Sequence, residues 1–422
     1  MKSVFAASVL ALMTSTSAFA TDIDADISQF AVGIQKALNK IEDVSKATGV
    51  TQEAVNAANL VSKLNAGDLT AVYQKSMVKQ IAVNSIESPK FGKVDVVGAT
   101  QSATNVANSI SIGDAIKPSS AANLEKIKQN SYGDQFAMNK IKSADLADTV
   151  NQTAVNAANL VTIAVDAGAI DRITQKSYGE QTAINKIDSG WNWGGWSGLY
   201  RNGAVIDTVK QSATNVANSI SLGKLGPGPF NKLLDLAKQK AYLDQYASNE
   251  IKVALTAEDV AQEAVNAANL ITSGKDGAGL GKVYQTAIGD QTALNTIEFK
   301  KWIDGNAKVN NVVVPSTQSA TNVANSVSAP VITTTLAQFS DVTQKARNVA
   351  DSVGSSSKIW DFEQTAVNAT NLVSIGTIGG NLELDQVALV SQSASNLIDA
   401  NGTVDKVVQR ATNVANSVGD LN

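Results

Sequence analysis

The 422-residue chain contains no cysteine and no histidine, and aromatic residues make up only 5% of it. Without cysteine there is no disulfide framework and no thiolate zinc site. With histidine missing as well, a Ser-His-Asp triad, a Cys-His nucleophile pair and a haem axial histidine are excluded. Charge is also scarce, at 17% of residues, and Lys+Arg 34 against Asp+Glu 38 leaves a net charge of -4. No basic field exists to attract a phosphate backbone, so a nucleic-acid partner is not expected. Neither a cofactor nor catalysis is expected from such an inventory. Beyond the N-terminus, no segment reaches the roughly 18 to 20 consecutive apolar residues of a transmembrane helix.

What fills the space is amide: the chain has 37 Asn and 24 Gln. The first twenty residues stand apart from this pattern. Lys2, the apolar run Val4 to Met13 and the small-x-small site Ala18-Phe19-Ala20 read as a signal peptide, residues 1–20, with cleavage expected after Ala20. The implied localisation is secreted, extracellular or cell-surface by way of a periplasm. A secreted chain without cysteine must draw its stability from something other than disulfides.

Self-similarity organises the remainder, 21–422, into one expected repeat domain. The phrase Gln-x-Ala-x-Asn begins at Gln35, Gln52, Gln80, Gln101, Gln135, Gln152, Gln181, Gln211, Gln245, Gln262, Gln291, Gln318, Gln344, Gln364, Gln392 and Gln409. Its asparagines follow at Asn39, Asn56, Asn84, Asn105, Asn139, Asn156, Asn185, Asn215, Asn249, Asn266, Asn295, Asn322, Asn348, Asn368, Asn396 and Asn413. The mean step, (409 − 35)/15, is about 25 residues, a length suited to one solenoid coil. Flanking residues sort the copies into three kinds. A units continue as Ala-Val-Asn-Ala-Ala-Asn-Leu, with Thr370 for one Ala in the copy at Gln364; C units continue as Ser-Ala-Thr-Asn-Val-Ala-Asn-Ser, with Arg410 for the Ser in the copy at Gln409; and B units carry an additional Gln six residues upstream. Their order, B-A-B-C, recurs four times and defines superrepeats 29–128, 129–238, 239–337 and 338–422. The upstream glutamines at 29, 74, 129, 175, 239, 285, 338 and 386 complete the set, so every Gln in the chain occupies a repeat position.

Period then decides conformation. In 175–187, Gln175, Ser177, Gly179, Gln181, Ala183, Asn185 and Ile187 alternate with Lys176, Tyr178, Glu180, Thr182, Ile184 and Lys186, so all the charge lies in one alternate set. A two-residue alternation sustained this long predicts a strand. The expected fold is therefore all-β, a β-solenoid of stacked repeats. The competing reading is an all-α repeat, because Val150, Ala154, Ala158 and Val161 fall near helical spacing. The abundance of Asn, Ser, Thr and Val opposes it. Ile112 to Ser119 and Ser221 to Pro229 read as loops, with a short helix expected at Leu233, Leu234 and Leu236. One unit per coil would give 16 rungs, and a B unit paired with an A or C unit would give 8.

Stacked about 4.8 Å apart, identical amides can donate to one neighbour and accept from the other. Such ladders satisfy polar groups whose unpaired burial costs about 1–3 kcal/mol each. The sixteen Gln and sixteen Asn of the phrase are thus the expected structural ladder, with Ile41, Ile86, Ile141, Ile187, Ile251, Ile297 and Ile398 as an apolar stripe. Glutamine, a small residue two later, then Asn, on coils behind a signal peptide, resembles the curlin repeat of curli and related functional amyloid fibres of Gram-negative bacteria. The resemblance covers about 29–422. It implies a subunit or anchor of an extracellular fibre or biofilm matrix that mediates adhesion, partnered by itself or by related repeat subunits and exported by outer-membrane secretion machinery. The last unit runs almost to residue 422, leaving an open edge expected to recruit further strands. A second function class, a secreted carbohydrate-active or carbohydrate-binding β-helix protein, would need acidic residues at one strand position over adjacent coils. The Gly-rich loop with Trp191, Trp193, Trp196 and Tyr200 reads as a possible adhesion loop toward surface polysaccharide, or else as a cover for the solenoid flank.

Overall fold

The computed structural model describes residues 26–64, 71–89, 92–112, 124–163, 170–189, 205–223, 233–253, 256–273, 279–299, 312–352, 358–378 and 382–420. The proposed signal peptide, the Trp191–Tyr200 loop and most of the two segments read as loops lie outside them. Among the described residues every regular element is a strand, twenty in all, and every pairing is parallel. The helical alternative is thereby overturned. Val150, Ala154 and Ala158 share a face because four is an even number, and Ala158 and Asn159 then both point inward, which shifts the parity and brings Val161 to the same side.

Each coil joins one B unit to one A or C unit. The B units form one wall, in which Ile27–Ile41 pairs with Ala71–Glu87 and the series ends at Glu383–Ala400. The A and C units alternate along the other wall, from Thr51–Ala57 to Thr403–Val414. Sixteen units thus give eight coils, and at about 4.8 Å per rung the stack is roughly 40 Å long. Pairing is in register throughout, so Gln181 lies between Gln135 and Gln245 and Asn185 between Asn139 and Asn249.

The walls meet over four apolar bands, one of them a short cluster of mostly small residues around Ala217, Ala241, Ala268, Ala287 and Ala324. In the middle, one small Ala per unit, such as Ala82, Ala103, Ala137 and Ala183, forms a thin buried line. One edge is filled by Ile86, Ile141, Ile187, Ile251 and Ile297 together with Val150, Val209 and Phe362; the other by residues such as Ile110, Ile127, Val161 and Ile173. Thin centre and thick edges give a flattened coil. Entry into the A/C wall turns on a left-handed residue at the same place in successive coils: Gly49 (φ 61°), Gly98 (65°), Thr149 (53°), Thr208 (49°) and Asp259 (47°).

The helix expected at Leu233, Leu234 and Leu236 is absent, because Leu233–Val253 is one strand. Leu234 aligns with Ile170 and Leu280 and is buried in the same apolar edge, so in-register stacking overrides the local preference that the leucines suggested. Ser221 and Leu222 likewise extend a strand where a loop was expected.

Candidate functional site: the amide ladders and the two ends of the stack

The sixteen phrases supply four columns of amides. On the B wall, Asn39, Asn84, Asn139, Asn185, Asn249, Asn295, Asn348 and Asn396 are hydrogen-bonded one to the next in that order. On the A/C wall the corresponding column is Asn56, Asn105, Asn156, Asn215, Asn266, Asn322, Asn368 and Asn413. The glutamines four residues before them divide in the same way, Gln35 to Gln392 on the B wall and Gln52 to Gln409 on the A/C wall.

Two more columns complete the set. One is made by the upstream glutamines. The other, missed as a ladder in the sequence although each A and C unit displays it, is the Asn three residues after the first: Asn59, Asn108, Asn159, Asn218, Asn269, Asn325, Asn371 and Asn416. Three columns of Gln and three of Asn run the length of the stack, accounting for all 24 Gln and for 24 of the 37 Asn.

Inside the stack most amides donate both along the column and across to the opposite wall, and accept from a neighbouring rung. Gln181 Nε2 donates to Gln135 Oε1 at 2.7 Å and across to the Val216 carbonyl at 3.1 Å, while its own Oε1 accepts from Gln245 at 2.8 Å. Asn185 Nδ2 donates to Asn249 Oδ1 at 2.9 Å and to the opposite-wall Ser212 carbonyl at 2.7 Å. The ladders therefore pair rung with rung along the stack and wall with wall across it.

The two residue types run in opposite directions. In all three Gln columns the later coil donates to the earlier one, as Gln80 to Gln35, Gln101 to Gln52 and Gln392 to Gln344. In all three Asn columns the earlier coil donates to the later, as Asn39 to Asn84, Asn56 to Asn105 and Asn371 to Asn416.

This polarity fixes what each end presents. On the first coil Gln35 and Gln52 spend one N–H each on the carbonyls of Ala57 and Ser85 and keep a second, whereas the Oδ1 atoms of Asn39, Asn56 and Asn59 accept nothing among the described residues. On the last coil the Oε1 atoms of Gln392 and Gln409 accept nothing among the described residues, while Asn396, Asn413 and Asn416 retain N–H groups. Large apolar side chains collect at the ends too: Phe30, Val32, Ile34 and Leu38 on the first coil and Leu384, Val387, Leu389 and Leu397 on the last are 40–64% exposed.

Charge lies on the outer B wall and, on the A/C strands, around the phrase glutamines, at Glu53, Glu263, Glu363 and Arg410. Stacked like charges repel, and the column Glu87, Lys142, Asp188, Lys252, Glu298 alternates in sign before it ends in Asp351 and Asp399. Beside it Glu250 meets Lys186 at 2.8 Å and Lys252 at 3.1 Å. Burial by itself would raise the Glu250 carboxyl, but hydrogen bonds from the two lysines outweigh it and hold the group below the usual carboxylate range. Tyr132, Tyr178 and Tyr242 stack with centroids 4.9 and 5.1 Å apart, and burial followed by its two neighbours raises the Tyr178 phenol. A shallow open depression of about 250 Å³ adjoins Phe30, Tyr73 and Lys75. That is below the roughly 300–1,000 Å³ of ordinary ligand pockets. No group of three or more Asp or Glu placed to hold a metal occurs among the described residues. Comparison with family models, with curated proteins and with solved structures returns no match to this chain.

Proposed function

We propose that this chain is a secreted structural subunit that stacks end to end into an extracellular, curli-like fibre. Its partners are further copies of itself or related repeat subunits, export runs through the periplasm and outer-membrane secretion machinery, and the fibre serves surface adhesion or a biofilm matrix. The observation that carries this reading is the complementarity of the two ends. With the last coil of one copy set in register on the first coil of the next, Gln35 N–H meets a Gln392 carbonyl, Gln52 N–H meets Gln409, and Asn396, Asn413 and Asn416 donate to Asn39, Asn56 and Asn59. The junction also continues the A/C alternation, because the first coil holds the A unit at Gln52 and the last the C unit at Gln409. Stacking covers one flank of the exposed end-coil hydrophobics, at about 25 cal/mol per Å² of apolar surface removed from water. Docking with one copy reversed would set acceptor against acceptor.

The test exchanges the terminal donors for isosteric acceptors: Asn396→Asp, Asn413→Asp and Asn416→Asp together. Each Asp still accepts from the Asn beneath it, so the rung-to-rung ladders are kept, and the one internal bond given up among the described residues is that from Asn396 to the exposed Arg410 carbonyl. Electron micrographs of the wild-type protein are expected to show filaments that the triple variant lacks, with the same β-type circular dichroism in both. Equal filament formation by the triple variant would remove the basis for end-to-end stacking.

A further inference from the structure

The outward face of the A/C wall differs from the outward face of the B wall in a way that stacking does not require. Outward positions on the B wall change freely from coil to coil, as in Lys75, Asn130, Lys176 and Lys240 down one column. On the A/C wall three adjacent outward columns hold only Val, Thr, Ala, Leu and Ser over all eight coils, in strict alternation. A-type coils present Val, Ala, Leu, as Val155, Ala157, Leu160, and C-type coils present Thr, Val, Ser, as Thr214, Val216, Ser219. The same two sets recur in the other three superrepeats.

The result is a relief. In one column alanines alternate with valines, and Ala157, Ala267 and Ala369 are sunk to 3–4% exposure although they lie on an outward face. In the next column leucines alternate with serines, out of phase, so each bulky side chain has a small one beside it and another one rung away. The face is a checkerboard of knobs and holes with a period of two coils, about 10 Å.

From this we infer that the A/C face is an interface with a second copy of the chain, two stacks lying wall to wall. A half-turn about the stack axis sets Ala157 of one copy opposite Leu160 of the other, and Val216 opposite Ser219. A half-turn about the strand direction through the middle of eight coils sets every A coil on a C coil, again knob on hole. Self-complementary interdigitation of this kind makes a dry sheet-to-sheet contact. Its size suffices: the face from Val155 to Thr162 is about 23 Å wide and about 38 Å long, or roughly 900 Å² per copy, against about 800 Å² per partner in a stable complex. It carries no charge to desolvate. The pairing is lateral and stands whether or not the ends stack.

The test uses the secreted chain, residues 21–422, with Leu160→Glu and Leu270→Glu on the A/C face and Tyr246→Glu on the B face as control. Mass per length is read by scanning transmission electron microscopy on filaments, and mass by sedimentation on whatever protein remains soluble. Wild type and control are expected to show two chains per roughly 40 Å of filament, or dimers in solution, and the double variant half that mass with unaltered circular dichroism. If the leucine pair unfolds the chain, Thr214→Lys with Thr321→Lys carries the same test at half-exposed sites. Single stacks and soluble monomers for the wild type would overturn the inference, as would pairing undiminished in the folded variant. A laterally unpaired wild type that binds crystalline cellulose or chitin, and loses that binding in the double variant, would assign the face to a polysaccharide surface and overturn it equally.

Discussion

Removing one amide from the middle of a ladder tests the chemistry of the stack most directly. Asn185 accepts from Asn139 at 2.9 Å, donates to Asn249 at 2.9 Å and to the Ser212 carbonyl at 2.7 Å, and neither Asn139 nor Asn249 has any exposed surface. Asn185→Ala strands the fully buried Asn139 N–H and Asn249 Oδ1 at about 1–3 kcal/mol each, a total of about 2–6 kcal/mol, and also takes the donor from the part-buried Ser212 carbonyl. A water molecule fits the polar gap left by the carboxamide and bridges the two stranded groups, which draws the cost toward the lower end. Asn185→Leu fills the same space with carbon, excludes that water and draws the cost toward the upper end. Asn396, in the last coil, is part-exposed, accepts from Asn348 and donates to the exposed Arg410 carbonyl; truncating it opens Asn348 to water at the free end of the stack, so Asn396→Ala is expected to cost less than about 1 kcal/mol. Urea unfolding followed by circular dichroism near 218 nm supplies the measurement. The expected order of midpoints is wild type, then Asn396→Ala, then Asn185→Ala, then Asn185→Leu. A midpoint for Asn396→Ala as low as that of Asn185→Ala, or a leucine variant more stable than the alanine one, would refute the reasoning that buried, mutually paired amides dominate.

Ala183 is fully buried and Thr182 half-buried on the outer face, so Ala183→Asp is expected to cost several kcal/mol and Thr182→Asp about 0.5 kcal/mol; equal thermal shifts would contradict the assigned faces. Gly289 has φ +131°, and a Cβ there would come 2.3 Å from the Leu243 carbonyl oxygen, so Gly289→Ala is expected to lower stability by at least about 2 kcal/mol, measured by the same urea titration. Because the folded carboxyl of Glu250 titrates below its ordinary range, its contribution is present above about pH 4.3 and is lost as pH falls through the lower folded value. Melting temperatures from pH 6 to 3 should therefore decline less steeply in Glu250→Gln than in the wild type. Deleting one superrepeat, 129–238, removes two coils and is expected to leave a shorter, folded, protease-resistant stack, since each coil contacts only its neighbours; a protease-sensitive product would show the superrepeats to be inequivalent.

Much of this architecture is legible in the residues, for identifiable reasons. Charge confined to alternate positions in 175–187 reports a strand with one buried face, because an unpaired buried charge is too costly to leave there. Gln at every repeat position reports a ladder, since surface amides have no reason to keep a period. Two features escape such reasoning. The number of units per coil depends on which strands lie back to back, and the phrase alone is the same for both answers. The third Asn column hides behind the adjacent inward residues Ala158 and Asn159, where simple alternation turns Asn159 outward. Leu234 shows the remaining limit, because its strand is imposed by the coils on either side of it.

The opposed directions of the Gln and Asn columns have an electrostatic consequence. A side-chain amide is a dipole comparable to the peptide unit, about 3.5 D, and dipoles aligned head to tail along one axis sum as they do in an α-helix, leaving opposite partial charges at the two ends. Six columns pointing one way would gather like partial charges side by side at each tip. Here three point toward the first coil and three toward the last, so their axial moments cancel rung by rung. The array can lengthen without its amides accumulating a polarised tip, and adding the hundredth rung meets the same side-chain field as adding the ninth.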